Sequence, residues 1–124
     1  MVKRVIVSNN PRVRDEFENV LYLDSSMRDV LVKTRSLIHS GSKLVTYPLG
    51  ASLRVLFSPY RSIVIDLSDG DVDFEHVEII ENSIVKYDGH MNLRAVDMKN
   101  AEDYAFIDLE LLKSAILESG QAVG

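Results

Sequence analysis

The chain has 124 residues, 46% hydrophobic and 27% charged, with a formal net charge of −5 and no cysteine. That is enough for one domain with a real core, but no apolar run approaches the roughly 18–20 residues that span a bilayer. The missing thiols exclude disulfides, thiolate metal sites and cysteine nucleophiles. An acidic chain with no basic stripe among aromatics argues against nucleic acid as a partner. The opening MVKRVIVSNN is too short in apolar residues for a secretory signal, so a cytoplasmic location is expected.

KRVIVS (3–8) is a β-branched run closed by two asparagines, which predicts a buried first strand. Pro11 suits the first position of a helix, where its missing N–H needs no partner. RVRDEFEN (12–19) then reads as a short helix, with Val13 and Phe17 spaced as its buried pair. VLYL (20–23) reads as a second strand. DSSMRDVLVKTRSLIHSG (24–41) is the clearest helix, because Met27, Val30, Leu31, Thr34, Leu37 and Ile38 fall on one stripe. Ser26 and Asp29 resemble a capping box, and Gly41 suits the residue just past the helix.

KLVTY (43–47) predicts a third strand. SIVIDL (62–67) predicts a fourth, a continuous apolar run of the kind found in parallel sheets covered on both faces. Between them PLGASLRVLFSPYR (48–61) has no clear period, and long irregular connections are commonly functional. Its LRVLF (53–57) reads alternatively as a short edge strand. After the turn SDGD (68–71), Phe74, Val77, Ile80, Ile84 and Tyr87 recur at helical spacing. Residues 88–103 are polar and read as a loop. FIDLELLKSAILES (106–119) reads as the last helix, with Asp108 as N-cap and Ile107 and Leu112 as a hydrophobic staple. The tail 120–124 is expected to fray.

This order predicts a single three-layer α/β/α domain over residues 1–119, Rossmann-like or flavodoxin-like in style, with a mainly parallel sheet of about four strands. Charge divides along the chain. Residues 1–65 hold ten Lys and Arg against five Asp and Glu, and residues 66–124 hold four against fourteen. Either an anionic partner meets the basic half, or the two halves meet within the fold or across a homodimer.

In a doubly wound sheet the ligand crevice lies outside the carboxyl ends of the strands. SNNP (8–11) and TYPLGAS (46–52) are therefore expected to be neighbours. The expected ligand-binding residues are Asn9, Asn10, Pro48, Gly50, Ser52, Arg54 and Arg61, with a small anionic or polar ligand as partner. A small-residue turn can aim backbone N–H groups at an anion, and the hydroxyl, amide and guanidinium groups add donors. The alternative is that Pro48 and Gly50 shape a turn and the asparagines cap a helix. His39, His76 and His90 share no ligand spacing, so neither a metal nor a cofactor is expected. Asp66, at the end of an apolar strand, and Tyr47 are candidate acid–base groups, with Ser52 as a polar anchor. A binding protein, a small enzyme acting on a phosphate- or carboxylate-bearing metabolite, and a homodimeric interaction module all remain open.

Taken in order, IVSNNPRV, VLVKTRSLIHSGSKLVTYPLGAS, SPYRSIVI, IIENSI and YAFIDLELL resemble the GrdX family. These are small proteins encoded alongside the glycine, sarcosine and betaine reductase components of amino-acid-reducing anaerobes. The similarity runs from about residue 5 to residue 112. It implies a cytoplasmic accessory protein without an assigned reaction, with the reductase components as candidate partners. Family-favoured positions map onto Asn10, Pro11, Pro48, Leu49, Ser52 and Pro59. The chain departs from the family pattern at Tyr47, where histidine is more usual, and at LRVLFSPY, where the family is more polar.

Overall fold

The computed structural model describes residues 3–49, 57–91 and 95–119. Strand β1 (Lys3–Ser8) leads through helix α1 (Pro11–Glu16) to β2 (Val20–Tyr22), then through α2 (Met27–His39) to β3 (Lys43–Leu44). Strand β4 (Ser62–Leu67), α3 (Phe74–Met91) and α4 (Ala101–Ser119) complete the described elements.

The sheet order is β2-β1-β4-β3. β1 and β2 pair in parallel, with Ile6 opposite Val20 and Ser8 opposite Tyr22. β4 runs antiparallel to both neighbours, with Lys3 opposite Leu67 and Ser8 opposite Ser62 on β1, and Leu44 opposite Ile65 on β3. The sheet is therefore mixed, and the mainly parallel, Rossmann-like expectation is wrong. The reason is that a two-sided apolar run reports cover on both faces and says nothing of direction.

That cover is real. Val5, Val7, Ile63 and Ile65 face α2 and α3, packing with Met27, Val30, Leu31, Ile38, Ile80, Ile84 and Tyr87. Ile6 and Val64 point the other way, to Val13 of α1 and Leu109 and Leu112 of α4. The period-2 alternation of a strand sends successive residues into the two layers.

Local chemistry sets several boundaries. The Ser26 hydroxyl accepts from the Asp29 N–H at 3.1 Å and starts α2 as a cap. Gly41 ends it at φ +109°, where a Cβ would collide with the Gly70 carbonyl oxygen. β3 stops earlier than expected, because the N–H groups of Val45 and Thr46 both donate to the Val64 carbonyl and leave the ladder. The Thr46 hydroxyl instead accepts from the Val64 N–H at 3.0 Å. α1 ends at Glu16 rather than near residue 19, with Phe17 already extended at φ −122°.

Two helices are longer than expected. α3 continues through residues 88–91, and α4 starts at Ala101. Asp108 thus lies inside α4 and is not its N-cap.

Candidate functional site

Because β4 runs backwards, the carboxyl ends of β1, β2 and β3 share one rim with the amino end of β4. Asp66, at the carboxyl end of β4, therefore lies at the opposite end of the sheet. There it forms a bidentate pair with Arg4, at 2.8 and 3.2 Å. Its expected place at the crevice rim is corrected by the strand direction.

The rim is built on Ser8, Asn9 and Asn10, the residues that follow the β-branched run of β1. Asn10 is the N-cap of α1 and accepts from the Arg12 N–H at 3.0 Å. Its amide also donates to the Ala105 carbonyl at 2.8 Å and to Asp108 Oδ2 at 3.0 Å, tying α1 to α4. Asn9 donates to the carbonyls of Ser25 and Pro59, at 2.9 and 2.8 Å, and accepts from the Arg61 N–H at 2.9 Å. Both amides thus have protein partners for both hydrogens and for the oxygen.

Asp108, 5% exposed, closes the base of the rim. Its carboxyl accepts from the Ser62 N–H at 3.1 Å and from the Ser62 hydroxyl at 2.7 Å, besides Asn10. The proton order then follows from acceptor chemistry. A carboxylate only accepts, so the Ser62 hydroxyl donates to it. Ser62 Oγ must then accept from the Ser8 hydroxyl, 2.7 Å away, whose own oxygen accepts from the Asn10 N–H at 3.0 Å. Every hydroxyl in this buried chain has one direction.

Arg61 is the second buried charge, 8% exposed. Its Nε donates to the Pro48 carbonyl at 2.6 Å and its Nη2 to the Tyr47 carbonyl at 3.0 Å. Burial holds the guanidinium pKa below the usual arginine range, and the negative field of Asp108 opposes that shift. Among the described residues no carboxylate lies within 4 Å of Arg61 (Asp108 acts on it only from further away).

Of the residues expected at the site, Asn9, Asn10, Pro48 and Arg61 are brought together here. Gly50, Ser52 and Arg54 lie outside the described residues, as does most of the LRVLF segment. Tyr47 is 69% exposed and contributes its backbone carbonyl. The reading from sequence missed Asp108, Ser62 and Ser8. A signal existed in part: Asp108 sits between Ala105 and Leu112 on the spacing of a buried helical stripe.

The histidines lie elsewhere. His39 pairs with Glu81 at 2.9 Å, His76 Nδ1 accepts from the Leu44 N–H at 3.1 Å, and His90 is in the last turn of α3. Among the described residues no group of three His, Cys, Asp or Glu side chains is placed to hold a metal ion.

A family model described as GrdX-like protein matches residues 5–117. The chain belongs to the GrdX-like protein family. No curated protein and no solved structure matches it. The matched span of this GrdX-like chain runs from the middle of β1 to the last turns of α4, so it contains every residue of the rim described above.

Proposed function

We propose that the chain is a non-enzymatic accessory protein associated with the glycine reductase system, binding a small anionic or polar ligand at the strand-end rim. The match to the GrdX-like family supports the association, because the resemblance to that family implies an accessory protein encoded alongside the reductase components. The observation that carries the binding reading is Arg61, a guanidinium 8% exposed with no carboxylate in contact among the described residues. Of the contacts expected from sequence, Arg61 is foremost, and Pro48, Gly50, Ser52 and Arg54 are kept as proposed contacts. Asn9 and Asn10, whose amide hydrogens are taken by the protein, position the rim.

The enzymatic alternative loses support from the geometry. Asp66 is at the far end of the sheet in an ion pair, and Tyr47 projects from the surface at 69% exposure. The buried carboxyl of Asp108 is committed to three donors and is shielded from solvent.

Two measurements test the two parts. A tagged copy of the chain mixed with purified glycine reductase components should co-elute with at least one of them on size exclusion. Separate elution of every component removes the proposed association. A thermal-shift screen of phosphates, nucleotides and small carboxylates tests the ligand, and no stabilisation by any of them removes the binding reading.

A further inference from the structure

We propose that Arg61 is an oxyanion receptor whose end-on guanidinium edge takes a carboxylate or phosphate group two-pronged. This rests on the binding reading above and names its anchor and its ligand class.

A guanidinium carries five N–H bonds in a fixed planar fork. Nε and one hydrogen of Nη2 lie side by side along one edge, and these serve the carbonyls of Pro48 and Tyr47. The two hydrogens of Nη1 and the second of Nη2 have no partner among the described residues. The Nη1 and Nη2 hydrogens on that remaining edge are parallel, at the spacing of two oxygens of a carboxylate or phosphate.

Charge points the same way. A buried cation is costly unless it is paired. The two carbonyls offer dipoles and no charge. The field of Asp108 reaches Arg61, but its oxygens accept from Ser62 and Asn10 and make no hydrogen bond to the guanidinium. The residues outside the described set, 1–2, 50–56, 92–94 and 120–124, contain no Asp or Glu at all. No acidic side chain of this chain is therefore in contact with Arg61, and an external anion supplies the missing charge.

The asparagines acquire a different role from the one first expected of them. Asn9 is a positioning residue. It grips the Arg61 N–H and the Pro59 carbonyl, on either side of Tyr60, and anchors both to the Ser25 carbonyl. Asn10 fixes Asp108 and the start of α1. Neither has an amide hydrogen left for the ligand.

The test titrates wild-type protein with acetate in one arm and inorganic phosphate in the other, with ionic strength held constant by sodium chloride. Melting temperature and the Arg61 Nε–Hε resonance are followed together. At least one anion should raise the melting temperature saturably and shift the Arg61 resonance more than that of Arg28. Arg61→Lys should bind about tenfold more weakly or worse, since a point charge replaces the fork, while Arg28→Gln should bind like wild type. If Arg61→Lys does not fold, the wild-type resonance decides. No shift at Arg61 with either anion, or equal binding by Arg61→Lys and wild type, overturns the proposal. The responding arm tells carboxylate from phosphate. Anion binding without co-elution would overturn the reductase association alone, and co-elution without anion binding would overturn the receptor alone.

Discussion

Asp108 ties together as much of the rim as either asparagine, with three hydrogen bonds to Ser62 and Asn10. Removing its carboxyl leaves the Ser62 N–H, the Ser62 hydroxyl and an Asn10 hydrogen without their acceptor. Each unsatisfied buried group costs about 1–3 kcal/mol, so Asp108→Ala should lose about 3 kcal/mol or more in urea unfolding. Asp108→Asn keeps one acceptor oxygen and should lose about half as much. A loss below about 0.5 kcal/mol for the alanine variant, the level of an ordinary surface change, would contradict the network. Sequence reading took Asp108 for a helix cap because a polar residue before an apolar run is the usual cap signature. What it could not show is that Ser62, forty-six positions earlier, lies against it.

At the surface, the Arg28 side chain hydrogen-bonds Asp88 at 2.8 and 3.0 Å and holds that carboxyl below the usual carboxylate range. A depressed carboxyl stabilises the fold above its unfolded pKa, and that contribution disappears as pH falls through the folded one. Arg28→Ala should therefore raise the Asp88 midpoint toward the ordinary value in a carboxyl carbon NMR titration. An unmoved midpoint would show that the pair does not form in solution.

Among elements, α2 and β4 were readable in the sequence because their signals are local. α2 has a period, a serine cap and a glycine stop, and β4 is one unbroken apolar run. Gly41 makes the stop testable. Its positive φ and the nearby Gly70 carbonyl should make Gly41→Ala destabilising by about 1–3 kcal/mol in thermal or urea unfolding. Stability equal to wild type would mean that the turn rearranges freely. The direction of β4 was not readable, since it depends on how the 45–61 connection returns and not on the apolar pattern of the strand. The polar stretch 88–103 was misread for a related reason: the exposed end of α3 and the first turn of α4 need few apolar residues. Edge strand β3 has an added support from His76, whose Nδ1 accepts the Leu44 N–H. His76→Ala should speed hydrogen exchange at the Leu44 amide, and an unchanged rate would show that this bond does not protect the edge.

In the whole molecule, the basic first half and acidic second half meet within the fold. Arg4 pairs with Asp66, Arg28 with Asp88, and Arg35 and His39 with Glu81. These pairs are exposed, and such contacts are worth about 0–1 kcal/mol each, so they join the two halves without carrying much of the stability. Among the described residues no helix is long and apolar enough to cross a membrane. Against that paired surface, Arg61 stands apart as a buried cation with no carboxylate in contact among the described residues, Asp108 acting on it only through its field. The expectation that SNNP and TYPLGAS are neighbours came from placing strand carboxyl ends at one crevice of a parallel sheet, whereas the link through Arg61 from Asn9 to the Pro48 carbonyl depends on the return of β4. The most direct measurement is a crystal structure of the wild-type protein grown in acetate or phosphate. The account expects that anion on Arg61, with two oxygens facing Nη1 and Nη2. An edge filled instead by a side chain of the same chain, with the anion absent, would contradict it.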